Sequence, residues 1–165
     1  MRILHCGKFY PPHRGGMETF LGQLTQAQAQ AGDEVLVLAH GDEPWPALPA
    51  TPGLSVRRAP VAMTLGGYAP VALSLPFLYL TSLRRFRPDV IHVHAPNGAA
   101  LWPALARRAH GAPIVLHWHA DVRFPSDKSP PAPLLACGRL LESLVLRQAD
   151  AIIATSQAYL DASPA

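Results

Sequence analysis

Six short apolar runs recur along this chain, and the stretches between them carry helical rather than strand periodicity. That alternation constrains the fold more than any other feature. A strand covered on both faces reads as an unbroken apolar run, and parallel neighbours need a crossover, usually a helix. The runs are residues 2–7, 34–39, 54–60, 89–94, 113–118 and 151–155. From Met17 the apolar residues fall at Met17, Phe20, Leu21, Leu24, Ala27 and Ala31, the stripe of an amphipathic helix. Glu18 lies in its first turn, where the helix dipole favours an acid, and Gly32 supplies the stop. A long apolar helix is expected over 70–86 with a bend at Pro76, and a helix over 98–110 ended by Gly111, with Pro103 near its start or at a kink. A leucine-rich helix is expected over 134–148, and Ser156 caps a short last one. The segments 8–16, 41–52 and 122–133 read as loops.

Strands alternating with helices indicate β-α-β units, hence an α/β fold with a doubly wound, Rossmann-like parallel sheet. Right-handed crossovers give the expected strand order 3-2-1-4-5-6 with helices on both faces. The 165 residues suit one domain. Hydrophobic residues at 49% against 15% charged exclude a disordered chain. The 18 prolines and 12 glycines follow no collagen-like period and punctuate short elements.

A net charge of +3 suits anionic ligands or lipid headgroups but is too small to argue for nucleic acid. Residues 59–83 carry no charge, yet Gly66, Gly67, Pro70 and Pro76 interrupt them. Arginines flank the stretch on both sides, so a buried helix ending in the basic cluster Arg84, Arg85 and Arg87 fits better than a membrane span. That cluster suggests contact with a membrane surface, against the plainer reading of favourable charge at a helix C-terminus. Cys6 and Cys137 lie in apolar runs and read as buried free thiols. The opening apolar run is too short for a signal peptide, so the expected compartment is the cytoplasm.

In such a sheet, ligands bind beyond the carboxyl ends of the strands, where strand order reverses. The loop after strand one carries Lys8, Arg14, Gly15 and Gly16 just before a helix. Two glycines there leave backbone N–H groups open to a phosphate or sugar, or else mark a tight turn needing positive φ. The dinucleotide fingerprint G-x-G-x-x-G and the P-loop are absent, which disfavours NAD and direct ATP binding by those devices. Strand four brings His92 and His94, and strand five His117 and His119 followed by Asp121. Residues two apart share a strand face, so each pair can act together. Two such pairs on neighbouring strands allow a metal site. The run His117-x-His119-x-Asp121 is also like the H-x-H-x-D-H run of metallo-β-lactamase-type hydrolases, with Val122 in place of the last His. For His92 and His117 the plainer reading is hydrogen-bonded packing between sheet and helix. His94 and His119, at strand ends, are expected to face the crevice, with Asp121 orienting His119 or accepting a hydroxyl. His5 reads as a core residue of strand one, and Arg107 and Arg108 as a solvated helix face.

Five stretches carry a resemblance in order along the chain: residues 2–19 (through Tyr10, Pro11, Gly15, Gly16 and Glu18), 32–38, 87–94, 117–121 and 149–156. Together they resemble the N-terminal domain of a family 4, group 1 glycosyltransferase of the GT-B fold, and 117–121 is most similar to members transferring mannose or related hexoses. The resemblance implies transfer of a sugar from a nucleotide diphosphate sugar to an acceptor hydroxyl with retention, without metal or other cofactor. It places Gly15 and Gly16 against the donor diphosphate and sugar, and His119 beside the reacting carbon. Arg14, His94 and Asp121 follow as substrate-side candidates. It also implies a second, donor-binding domain that this chain lacks, so the chain alone is expected to be inactive. The rivals from other classes are a non-catalytic Rossmann-like ligand-binding domain and a histidine-site metal hydrolase.

Overall fold

The structure, a computed structural model, describes residues 1–41, 51–65, 68–122 and 131–162. Six parallel strands form one sheet: β1 (Arg2–Cys6), β2 (Glu34–His40), β3 (Leu54–Ala59), β6 (Val90–Ala95), β7 (Ile114–Trp118) and β8 (Ala151–Ala154). Their order is β3-β2-β1-β6-β7-β8, the doubly wound order expected. A separate antiparallel ribbon pairs β4 (Met63–Leu65) with β5 (Ala69–Val71). The helices are α1 (Gly16–Gln30), α2 (Leu75–Phe86), α3 (Leu101–Leu105), α4 (Arg107–His110), α5 (Ala132–Gln148) and α6 (Gln157–Ala162), with a 3-10 turn at Gly98–Ala100.

Alternation along each strand divides the sheet into two unlike faces. One face presents Leu4, Cys6, Leu36, Leu38, Ile91, Val93, Leu116 and Trp118 to Tyr79 of α2, Ala104 of α3 and Val145 of α5. Each fully buried Leu, Ile or Val there contributes about 1.5–3 kcal/mol. The other face lies under α1. Its β2 side is apolar, with Val35, Val37 and Ala39 packed on Leu21 and Ala29. Its centre carries the buried imidazoles of His5, His92, His94 and His117.

Two aspartates hold the strand starts. Asp89 accepts the Arg2 backbone N–H at 2.7 Å, and Asp150 accepts that of Ile114 at 2.7 Å. Each acid sits just before one strand and pins the next, so the stretches 87–94 and 149–156 owe their aspartates to the sheet rather than to the crevice. Asp150 also pairs with Arg107 at 2.7 Å, so Arg107 is not the free, solvated side chain expected. The Arg108 side chain, and parts of the loops 41–52 and 122–133, lie outside the description.

Other expectations need correction. The long apolar helix starts at Leu75, because Pro70 belongs to β5 and pairs with Thr64. Pro76 falls in the first turn of α2, where its missing N–H costs nothing, so it causes no bend. The stretch 98–110 is broken at Ala106 (φ −87°, ψ 7°) into α3 and α4. Gly32 (φ 91°) and Gly111 (φ 68°) do end helices in the left-handed region, as glycine allows. Ser156 caps α6 by accepting the Tyr159 N–H at 3.1 Å. Cys6 is buried, which pushes its thiol up to about 12, whereas Cys137 is exposed on the outer side of α5. No helix among the described residues is long and apolar enough to cross a membrane.

Candidate functional site

The register of the central strands explains the imidazole cluster. His5 lies opposite His92, and His94 opposite His117. Directly opposite side chains sit close enough to stack, and those offset by two reach each other only by leaning along the strand. The closest stacks lie within a strand, between residues two apart: His92 and His94 have ring centroids 4.5 Å apart with planes at 19°, and His117 and His119 are 4.2 Å apart at 7°. Two of the diagonal pairs are hydrogen bonded. His5 Nδ1 meets His94 Nε2 at 3.1 Å, and His94 Nδ1 meets His119 Nε2 at 3.0 Å. At the inner end, His5 Nε2 meets Gln28 Oε1 of α1 at 2.8 Å. His119, one residue past β7, is anchored by its backbone N–H on the Ala95 carbonyl at 2.8 Å.

Helix α1 is turned to suit this polar face. Its buried residues are Glu18, Leu21, Gly22, Thr25 and Ala29, not the stripe its apolar residues suggest. Phe20, Ala27 and Ala31 are exposed, while Thr25 is fully buried and Gln28 is half-buried. Gln28 meets the imidazole of His5, where an unpaired buried nitrogen would cost about 1–3 kcal/mol, and Thr25 bonds the Tyr10 hydroxyl and its own helix carbonyls. Close approach does the rest. A Cβ on Gly7 would strike the Leu21 side chain, and one on Gly22 would come within 2.8 Å of Pro11. The loop before α1 is tied to it by the Tyr10 and Thr25 hydroxyls, 2.8 Å apart, and to β3 by Arg58, which donates to the Pro11 carbonyl at 2.9 Å.

The start of α1 joins the cluster to the crevice. Phe20 stands edge-on to His117 at 4.7 Å and to His119 at 5.2 Å between centroids. The double-glycine turn and His119 therefore share one rim of the sheet. Neither glycine needs a positive φ. Gly15 is extended (φ 172°), which removes the tight-turn explanation. Its reason is space: a Cβ there would collide with the Glu18 carboxylate, which folds back over the helix start. Around Gly16 nothing lies within 4 Å of a Cβ position, so that position stays open to a ligand. Lys8 sits with its ammonium 3.4 Å from the centre of the Tyr68 ring, a cation–π contact reaching from the β4–β5 turn.

Burial sets the charge state of the rings. It pushes His5 down to about 4 and His92 to about 3, and holds His94 well below its ordinary value. His119 is pushed down to about 4, first by burial and then by His117. All four are neutral at pH 7.

The nitrogens of His5, His92 and His94, and those of His94, His117 and His119, lie within 4.8 Å of one another. A metal needs lone pairs that converge on one point. These rings are inclined by only 7–34°, so their in-plane lone pairs run side by side, and both nitrogens of His94 are taken by hydrogen bonds. The geometry is that of a hydrogen-bonded stack rather than a metal centre.

Of the residues singled out by sequence, Gly15, Gly16 and His119 lie at the same edge of the sheet, linked by Phe20 of the glycine-led helix 5.2 Å from His119, and Arg14 is exposed just before the glycines. His94 does not face the crevice: it is fully buried, because its ring leans between β1 and β7 to bond on both sides. Asp121 does not serve as the orienting group of His119. Its carboxylate accepts the Trp118 indole N–H at 3.0 Å, and His94 holds His119 instead. His92 and His117 pack as expected but not through hydrogen bonds, since His92 Nε2 and His117 Nδ1 are buried without a partner. Sequence reasoning missed Phe20, Gln28 and the role of His5. The signal for His5 was present: it has the parity of His92 in a neighbouring strand.

A doubly wound parallel sheet with an open glycine turn and a polar ring at its carboxyl edge defines a ligand-binding α/β domain. Residues 15–164 match the glycosyl transferase 4-like domain, and the chain belongs to that family, as its N-terminal, Rossmann-like GT-B domain. It is 36% identical over 124 residues, 65% of its length, to a 2-deoxystreptamine N-acetyl-D-glucosaminyltransferase of Streptomyces fradiae. The match spans 28% of that enzyme.

Proposed function

We propose that this chain is the acceptor-side domain of a retaining glycosyltransferase that moves a hexose from a nucleotide diphosphate sugar to a hydroxyl of a glycan or lipid-linked acceptor, as in bacterial surface polysaccharide or glycolipid synthesis. The observation that carries the reading is the shared rim, where Phe20 of the glycine-led helix lies 5.2 Å from His119. Departure of the nucleotide leaves a sugar with positive character at the reacting carbon and a growing phosphate charge. A neutral imidazole beside that carbon adds no repulsion, and its ring dipole can face the positive centre. The bare Gly16 lets the diphosphate or sugar approach the helix start. Arg14 adds positive charge there, and Asp121 lies on the acceptor side. In this reading the nucleotide is gripped by a second Rossmann-like domain outside this chain, and neither metal nor further cofactor takes part.

The enzyme works at the cytoplasmic side of a membrane. Leu73 just before α2 and Phe77 and Leu80 along it are exposed, and its last turn carries Arg84 and Arg85, a face suited to an anionic bilayer surface.

The test is coupled nucleotide release, with this chain alone and joined to the rest of its reading frame. The chain alone is expected to be silent, and the joined protein active. Gly16→Ala is expected to leave unfolding midpoints unchanged, because a Cβ meets nothing there. It should lower turnover by roughly tenfold or more, as a 1.4 kcal/mol loss of contact would. His119→Ala should lower it further. Full turnover by the isolated chain, or by both variants, would sink the reading.

A further inference from the structure

Between α1 and the rim, one amide and three imidazoles form an unbranched line: Gln28, His5, His94, His119. A neutral imidazole has one N–H and one lone pair. Each interior ring uses both nitrogens, so the direction of any one bond dictates the others. The Gln28 oxygen can only accept. His5 therefore donates from Nε2 and accepts at Nδ1, and His94 does the same in turn. His119 then donates from Nε2, and its Nδ1 is left bare. The opposite direction would have Nε2 accept from His94 Nδ1 and leave an N–H on the outer Nδ1.

We propose that Gln28, His5 and His94 are positioning residues that set the tautomer of His119, holding it as the Nε2–H form so that Nδ1 accepts a hydrogen bond from a hydroxyl of the bound ligand. That hydroxyl's belonging to a sugar rests on the transfer reading above; the tautomer relay does not. A bare Nδ1 takes a hydroxyl and rejects a phosphoryl oxygen, whereas the reversed relay would present an N–H that takes either oxygen. The amide of Gln28, more than three helical turns behind the glycine turn, thus selects what the rim can hold. The ionisable groups acting on His94 are all imidazoles: His92, His5, His119 and His117. Among the described residues, the ring that α1 sets against the outer imidazoles is the uncharged one of Phe20. With burial opposing charge on every ring, the relay carries N–H direction and no net proton.

The test is two-bond 1H–15N correlation spectroscopy of the histidine rings at pH 7, on this chain without donor or acceptor. In the wild type, His5, His94 and His119 are all expected as Nε2–H; a mixed set overturns the proposal. His5→Phe leaves His94 Nε2 facing a hydrocarbon, where an orphan lone pair is cheaper than an orphan N–H. His94 then turns its N–H toward His119, and the Nδ1–H form of His119 is expected to rise by roughly fivefold, the weight of one net hydrogen bond. An unchanged His119 overturns the relay, since His5 does not touch that ring. Gln28→Glu keeps an acceptor at the inner end and should preserve the wild-type set; inversion there also overturns it. If His5→Phe does not fold, the wild-type spectrum still decides. The relay is judged by spectra and sugar transfer by nucleotide release, so each can fail without the other.

Discussion

Two rows of imidazoles cross the same face of the sheet, built from the same residue type on neighbouring strands, and they are not equivalent. His5, His94 and His119 lean diagonally and bond to one another. His92 and His117 stack 5.7 Å apart at 13° and leave His92 Nε2 and His117 Nδ1 buried without partners. Offset alone does not separate the rows, since His92 lies opposite Val115 and is as far out of step with His117 as His5 is with His94. The difference is where the nitrogens point: in the bonded row they meet edge to edge at 3.0–3.1 Å, and in the other the rings lie face to face. Identical chemistry therefore becomes structure-specifying in one row and tolerated packing in the other.

The largest expected effect breaks the bonded row at its middle. His94→Phe strands His5 Nδ1 and His119 Nε2 in a dry interior, which should cost about 2–5 kcal/mol in urea unfolding. A loss below about 1 kcal/mol would mean that the two rows are alike after all.

Acid comes next. The unfolded imidazole of His5 titrates near its ordinary 6.5, whereas folding pushes it down to about 4. Below pH 6.5 the unfolded chain takes up protons first, so stability falls as pH drops and goes on falling to about pH 4. His5 alone accounts for a loss on the order of 2 kcal/mol between pH 7 and pH 5. Urea midpoints across that range measure it, and His5→Phe should flatten the slope. An unchanged slope would place the acid sensitivity elsewhere.

The smallest effect tests the stacked row. His92→Phe removes a ring whose Nε2 is unsatisfied, so it should be neutral or stabilise by up to about 1 kcal/mol. If it costs as much as His94→Phe, the contrast between the rows fails.

Much of this architecture was legible beforehand. The strand order followed from apolar runs and crossover handedness, because both depend on local pattern. So did the stop at Gly32 and the cap at Ser156. What escaped was set by partners distant in sequence. The stripe from Met17 to Ala31 pointed α1 with Phe20 inward, since apolar periodicity assumes an oily surface opposite; the imidazole surface is polar and takes Gln28, while Thr25 turns in to the Tyr10 hydroxyl. Asp121 looked free to orient His119 because nothing in the sequence announces that the Trp118 indole takes its carboxylate first. The short β4–β5 ribbon was hidden by Pro70, which argues against a strand yet sits comfortably in a two-stranded one.

A helix seated by oil alone can roll on its bed by some tens of degrees at little cost. Helix α1 cannot, because Thr25 and Gln28 must each find particular atoms. Its azimuth is keyed. Gln28 and Gly16 are separated by about 18 Å of helix, so a fixture at the rear aims the leading turn, much as a breech fixes a barrel. Any exchange that loosens the key should blur where Phe20 and the glycine turn point, with no change at the mouth of the crevice itself.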